Sequence, residues 1–304
     1  MSAATEKDED EKLCCASCGI AGIDDIKLKD CDDCDLVKYC SDECQKDHFP
    51  KHEEACKKRA AELKDEILFR QPESSDLGDC PICCLPLPID PEKSTLYPCC
   101  SKYICNGCSY ANKMRESKGK LQHRCLFCRT VMPNTDEEFI DLLMKRVETN
   151  DPVAICEMGT ERYDEGDFSS AFEYYSNAAA LGDADAHYQL SILYRDGQGV
   201  EKDKKKELYY AEQAAIGGHP SARHNLGCEE WRNGAVDRAA KHWIIAAKLG
   251  FGKSLEDVKS LYKAGHVSKD DFAEALRGHY AAIAATKSPQ REEAEKFVNR
   301  LAKR

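Results

Sequence analysis

Cysteine pairs separated by two residues recur along the first part of this chain: Cys15/Cys18, Cys31/Cys34, Cys80/Cys83, Cys105/Cys108 and Cys125/Cys128. Cys40/Cys44 and His52/Cys56 add pairs with three residues between them. Two thiols that close share a disulfide only with poor geometry, but they fit one tetrahedral zinc ion. Of 19 cysteines, 17 lie between positions 14 and 128, so metal binding is concentrated in that stretch. A disulfide-rich secreted scaffold is the competing reading. The opening MSAATEKDEDEK is small and acidic, and reads as an acidic tail over residues 1–12, not as a secretory signal.

From Cys15 to Cys56 the pairs supply eight ligands, enough for two closed tetrahedra. The three-residue gaps place both members of a pair on one helix face, one turn apart. Alternation in sequence order predicts a cross-brace. Cys15, Cys18, Cys40 and Cys44 take one zinc; Cys31, Cys34, His52 and Cys56 take the other. Cys14 and His48 are left over. With every position filled by protein, no water is activated and the sites are structural. A module of this size buries too little apolar surface to fold alone. Zinc then supplies the folding free energy, on the order of 10–16 kcal/mol per site.

Tyr39-Cys40-Ser41, Cys44-Gln45 and His52-x3-Cys56 resemble the MYND zinc finger, with Phe49 where that family usually has Trp. The resemblance implies binding of short peptides, often containing Pro and Leu, beside the helix that carries Gln45.

Residues 57–70 read as a helix packing through Ala61, Leu63, Ile67 and Leu68; Gln71-Pro72 ends it and a linker follows. A second cluster begins at Cys80. Interleaving puts Cys80, Cys83, Cys105 and Cys108 on one zinc. Cys125 and Cys128 need two more ligands, drawn from Cys99 and Cys100, with His123 in reserve. Cys84 is spare. About four zinc ions per chain follow. This stretch resembles an all-cysteine RING finger through Cys80-x-Ile82-Cys83, Cys105-x2-Cys108 and Cys125-x2-Cys128-Arg129, with Lys102 in place of His and Leu126 in place of Pro. The resemblance implies that Ile82, Leu126 and Phe127 dock a ubiquitin-conjugating enzyme and that Arg129 steadies the ubiquitin tail. Such a ligase catalyses by positioning, so no nucleophile is expected.

Beyond Asp136 the cysteines thin out to Cys156 and Cys228 and alanine rises. Gly182, Gly217 and Gly250 recur 35 and 33 residues apart, each followed by a new helix start. That period predicts stacked helix–turn–helix units. They resemble SEL-one-like repeats, relatives of the TPR class, over about 152–252, with GQGVEKDKKK at 197–206 as an insertion. Tyr163, Phe168, Tyr174, Tyr194 and Trp243 read as core, and Ser288-Pro289 opens a helix that caps the solenoid.

The architecture expected is small zinc-stabilised modules, cross-brace MYND and RING-like, plus an all-α helical-repeat solenoid. Its divisions are a tail at 1–12, a MYND-type finger at 13–56, helix and linker at 57–76, a RING-type finger at 77–133 and a solenoid at 137–304. A net charge of −11 and a pI near 5.4 argue against nucleic acid as the main partner. No apolar run reaches about 18 residues, so no membrane is expected, and the cytoplasm or nucleus is the expected location. Proteins are the expected partners. The function expected is a RING-type ubiquitin ligase whose MYND module and repeats recruit substrates. The alternative is a non-enzymatic zinc-finger adaptor. A MYND-containing methyltransferase lacks room for a cofactor-binding domain.

Overall fold

The computed structural model describes residues 14–20, 22 and 27–301, and the acidic tail read over 1–12 lies outside them. The chain divides into two compact units between Arg70 and Gln71.

In the first unit, β1 (Lys29–Asp30) pairs antiparallel with β2 (Lys38–Tyr39). Ser41 then opens α1 (Asp42–Leu68) by accepting a hydrogen bond from the Cys44 amide at 3.2 Å, the usual duty of an N-cap serine. Cys40 therefore sits before the helix and only Cys44 within it, which corrects the expectation that both ride one helical face. The helix also does not restart at residue 57. It runs unbroken through Pro50, although an interior proline forfeits one backbone bond. Arg59 secures the distal half: its guanidinium donates to both Asp35 carboxylate oxygens at 2.7 and 2.9 Å and to Glu66 at 2.8 Å.

The second unit begins with a cysteine-rich module. Its hairpin joins β3 (Ser94–Tyr97) to β4 (Lys102–Cys105) in antiparallel register, Tyr97 facing Lys102. The turn between them carries Cys99 and Cys100. Helix α2 (Asn106–Gly119) follows β4 directly. Ile104, Tyr97 and Leu87 fill the small core among the buried cysteines.

Helix α3 (Asp136–Val147) leads into four antiparallel pairs. They are α4 (Pro152–Asp164) with α5 (Phe168–Ala180), α6 (Ala184–Asp196) with α7 (Lys204–Ile216), α8 (Pro220–Arg232) with α9 (Val236–Lys248), and α10 (Gly252–Lys263) with α11 (Lys269–Ala285). The turns between pairs repeat one hydrogen-bond scheme. Asp183, His219 and Phe251 amides donate to the carbonyls of Ala178, Ala214 and Ala246. The residue before each is a glycine with positive φ: Gly182, Gly218 and Gly250. The equivalent glycine in the middle turn is thus Gly218, not Gly217. The sequence Gly217-Gly218 hides which of the two takes the left-handed position. Asp183 and His219 go on to cap the next helix, accepting from the Ala186 and Ala222 amides.

Gly159 and Gly227 hold matching places in α4 and α8. A β-carbon there would lie 2.7 Å from the Tyr175 ring and 2.5 Å from Trp243 Nε1 respectively. The missing side chain lets each aromatic residue of the paired helix sit against backbone. Of the aromatics read as core, Tyr194 and Trp243 are buried and Tyr163 and Tyr174 pack against the cores, while Phe168 is half-buried, edge-on to the Tyr163 ring; Tyr175, buried as well, is not among them. The segment 197–206 forms the loop from α6 to α7 and ends as the first turn of α7, capped by Asp203.

Helix α12 (Pro289–Leu301) opens where Ser288-Pro289 predicts, but it does not close the solenoid. It packs against α2 of the cysteine-rich module, with Phe297 on Tyr110 at 4.9 Å between ring centroids. Among the described residues no helix is long and apolar enough to cross a membrane.

Candidate metal centres and docking surface

Among the described residues, sixteen side chains gather into four groups of four. They are Cys15/Cys18/Cys40/Cys44, Cys31/Cys34/His52/Cys56, Cys80/Cys83/Cys105/Cys108 and Cys99/Cys100/Cys125/Cys128, with the ligating atoms of each group within 4.8 Å of one another. None of the cysteines is in a disulfide. Zn–S bonds of about 2.3 Å make a tetrahedron with edges of about 3.8 Å. The sulfur–sulfur separations match that size: 3.6 Å for Cys18–Cys40, 3.7 Å for Cys31–Cys56, 3.8 Å for Cys83–Cys105 and 3.7 Å for Cys100–Cys125. A tetrahedral thiophilic ion fits all four.

The backbone builds these groups with a recurrent turn. Gly19, Cys84 and Arg129 each follow a cysteine of the group, take a positive φ, and donate their amide to the carbonyl of the first cysteine in the pair. The turn brings both thiols to one point and aims spare amides at the sulfur, as Phe127 and Cys128 amides do toward Cys125 Sγ at 3.3 and 3.4 Å. Cys84 is accordingly a turn residue, exposed and outside every group. Cys14 also stays outside them.

In the first unit His52 presents Nε2 to Cys34 Sγ at 3.1 Å. Burial pulls its pKa down, which favours the neutral imidazole that a metal requires. His48 stacks on His52 with 5.8 Å between centroids, and its Nδ1 meets the hydroxyl of buried Tyr39 at 3.0 Å, so it supports the group from outside. Gln45 reaches back to Asp32 at 3.3 Å and tethers the second knuckle to α1.

In the second unit adjacent Cys99 and Cys100 both join the fourth group, because the hairpin turn splays them; Cys99 Sγ lies 3.2 Å from Cys128 Sγ. His123 is held elsewhere: its Nδ1 meets the Glu116 carboxylate at 2.6 Å. Glu116 is buried and also accepts from the Arg124 amide and the Asn112 side chain, pinning the loop before Cys125 to α2. Ile82 and Phe127 stand exposed beside their knuckles, at 38% and 52% of full exposure. Leu126 is half-buried and rests in part against the module's core. Arg129 is exposed.

Sequence reasoning did not reach two features. Arg291, far along the chain on α12, donates to Cys83 Sγ at 3.3 Å. On β4, Tyr103 bonds Glu157 of α4 through its hydroxyl and fixes the module to the first repeat pair. Neither has a local motif that would announce it.

Residues 15–56 match the MYND finger family. Residues 152–183 and 184–219 match the Sel1 repeat. The chain carries a MYND finger and Sel1 repeats. Among curated proteins it is 38% identical over 56 residues to "Putative beta-lactamase HcpC" of Helicobacter pylori, covering 18% of this chain and 19% of that one. It is 22% identical over 203 residues to DAP3-binding cell death enhancer 1 of Mus musculus, covering 54% of this chain and 40% of that one. The chain thus spans less than half the length of either relative. A Sel1 repeat protein from Oxalobacter formigenes superposes with a TM-score of 0.44 at 24% identity, over 56% of this chain and 50% of that one. The MYND finger is a zinc-binding module, and both it and the Sel1 repeats are protein-interaction modules.

Proposed function

We propose that residues 77–133 form a RING-type finger and that the chain acts as a ubiquitin ligase, with the MYND finger and the repeats recruiting protein substrates. Four zinc ions per chain would hold it, on the sixteen ligands grouped above. The observation that carries the reading is the exposure of Ile82 and Phe127, each inside a Cys-x-x-Cys knuckle, where apolar side chains would otherwise be buried. Together they offer a shallow apolar site for a conjugating enzyme. Arg129, beside the last ligand and open to solvent, would order the ubiquitin tail. The chain's part is positional: it holds a loaded enzyme so that the acceptor amine reaches the thioester.

An autoubiquitination assay with a panel of conjugating enzymes tests this. Burial of one such side chain contributes about 1.5–3 kcal/mol, so Ile82→Ala should weaken docking about ten-fold or more while zinc content stays unchanged. Arg129→Ala should slow transfer and leave docking intact. Full activity in Ile82→Ala would remove the docking assignment. A fully metallated chain that yields no conjugates with any enzyme would leave the adaptor reading.

A further inference from the structure

We infer that the C-terminal helix α12 is part of the metal site built by Cys80, Cys83, Cys105 and Cys108, with Arg291 as the residue that tunes it. The inference rests on the metal reading above and goes beyond it. Four thiolates around a divalent zinc leave a net charge of about −2 on the site. Arg291 brings a cation to it from 208 positions along the chain.

The guanidinium is locked in place. One terminal nitrogen donates to the carbonyls of Pro86 at 2.7 Å and Thr286 at 2.8 Å. The other donates to the Leu85 carbonyl at 3.1 Å and to Cys83 Sγ at 3.3 Å. Gln290 adds a bond to the Gly107 carbonyl at 3.1 Å, and a β-carbon on Gly107 would lie 2.8 Å from Arg291 Cγ. Helix α2 thus leaves room for this arginine at its first turn. The donors fix the fork with two carbonyls of the knuckle loop that follows Cys83, so its aim at the sulfur does not depend on a flexible tip.

A charge-assisted N–H···S bond draws electron density from the thiolate. The sulfur becomes a weaker base and a weaker nucleophile, and both protonation and alkylation slow. The fourth group has no comparable partner among the bonds described: Cys128 has the Thr130 hydroxyl at 3.3 Å and Cys125 has backbone amides. The two sites of one module should therefore respond differently to the same loss. Partners of this kind are worth about 10–100-fold in metal affinity.

The test uses the full chain loaded with cadmium-113, whose resonance from this site is assigned by its disappearance in Cys80→Ser. In Arg291→Gln that resonance should move while those of the other sites stay. With zinc bound, alkylation of Cys83, followed by peptide mass spectrometry, should be about ten-fold faster, and that of Cys125 unchanged. Arg291→Lys, which keeps the charge and loses the fork, should fall between. An unmoved resonance with unchanged alkylation overturns the inference. So does an equal effect on both sites of the module, which would mean general loosening, or a lysine variant as impaired as the glutamine one. A wild-type chain that holds no metal at Cys80–Cys108 overturns the metal reading itself, and this inference with it.

Discussion

The two cysteine-rich modules use the same ligand arithmetic and differ in what else holds them. In the first, Tyr39 and the ligands Cys15, Cys31, Cys34, His52 and Cys56 are the buried core among the described residues, with few apolar side chains beside them. In the second, Ile104, Tyr97 and Leu87 form a core of their own. Leu96 packs against the cluster of Leu143, Ala154 and Met158 at the start of the helical region. Tyr103 bonds Glu157, and α12 covers α2. Two closed tetrahedra can thus be the whole reason a module folds, or can rivet a structure that packing already supports.

Metal removal should separate the cases most sharply. With about 10–16 kcal/mol per structural site at stake, a strong chelator should abolish amide protection across 15–56. Strands β3 and β4 and helix α2 should keep part of theirs, and α4 to α11 nearly all. Hydrogen-exchange mass spectrometry reads this directly. Equal loss in both modules would erase the distinction.

Single-ligand changes should follow the same order. Cys15→Ser should unfold the whole first module. Cys125→Ser should free the loop from 120 to 133 while the β3–β4 hairpin stays folded, as limited proteolysis would reveal. A hairpin that melts with Cys125→Ser would show that packing contributes little.

Tyr103→Phe leaves the half-buried Glu157 carboxylate without its hydroxyl donor. Stability of the second unit should fall by about 1–3 kcal/mol, measured by urea titration with zinc present, and the first module should be unaffected. Glu157→Gln in the same background should recover part of the loss. If Tyr103→Phe changes nothing, the module and the first repeat pair are held together elsewhere.

The smallest effects belong to the thiols outside the groups. Cys84→Gly should stabilise by up to about 1 kcal/mol, because a left-handed residue with a side chain pays a penalty that glycine avoids. Cys14→Ser should be within about 0.5 kcal/mol of neutral. Damage from Cys14→Ser equal to that from Cys15→Ser would mean the ligand register is shifted by one.

Much of this was legible in the sequence because its signals are local. Ligand spacing depends on one knuckle or one helical turn, and the repeat period depends on glycine-bearing turns. What escaped was set by distance or by near-degeneracy. Gly217 and Gly218 are equivalent until hydrogen bonds choose between them. Residues 57–70 read as a helix of their own until α1 is seen to run from Asp42 through Pro50 to Leu68. Leu126 looks like Phe127 in sequence, and only the fold decides which faces solvent. Arg291 and Cys83 have no pattern linking them, so the destination of α12 could not be read from its amphipathic spacing.

One arrangement bears on how such a chain can evolve. The second module and the segment leading into it meet the helical array at successive places. Tyr103 reaches α4, the Asp76 amide bonds the Gly218 carbonyl, and Ile89 approaches the turn at Gly250. Helix α12 then returns from the far side of the fourth pair to α2. Repeat arrays ordinarily lengthen or shorten by whole units, since each unit touches only its neighbours. Here a gained or lost unit would put one anchor out of reach while the others stayed attached. The cysteine-rich module lies along the array as a gauge would, so any change in copy number would have to break at least one of these anchors.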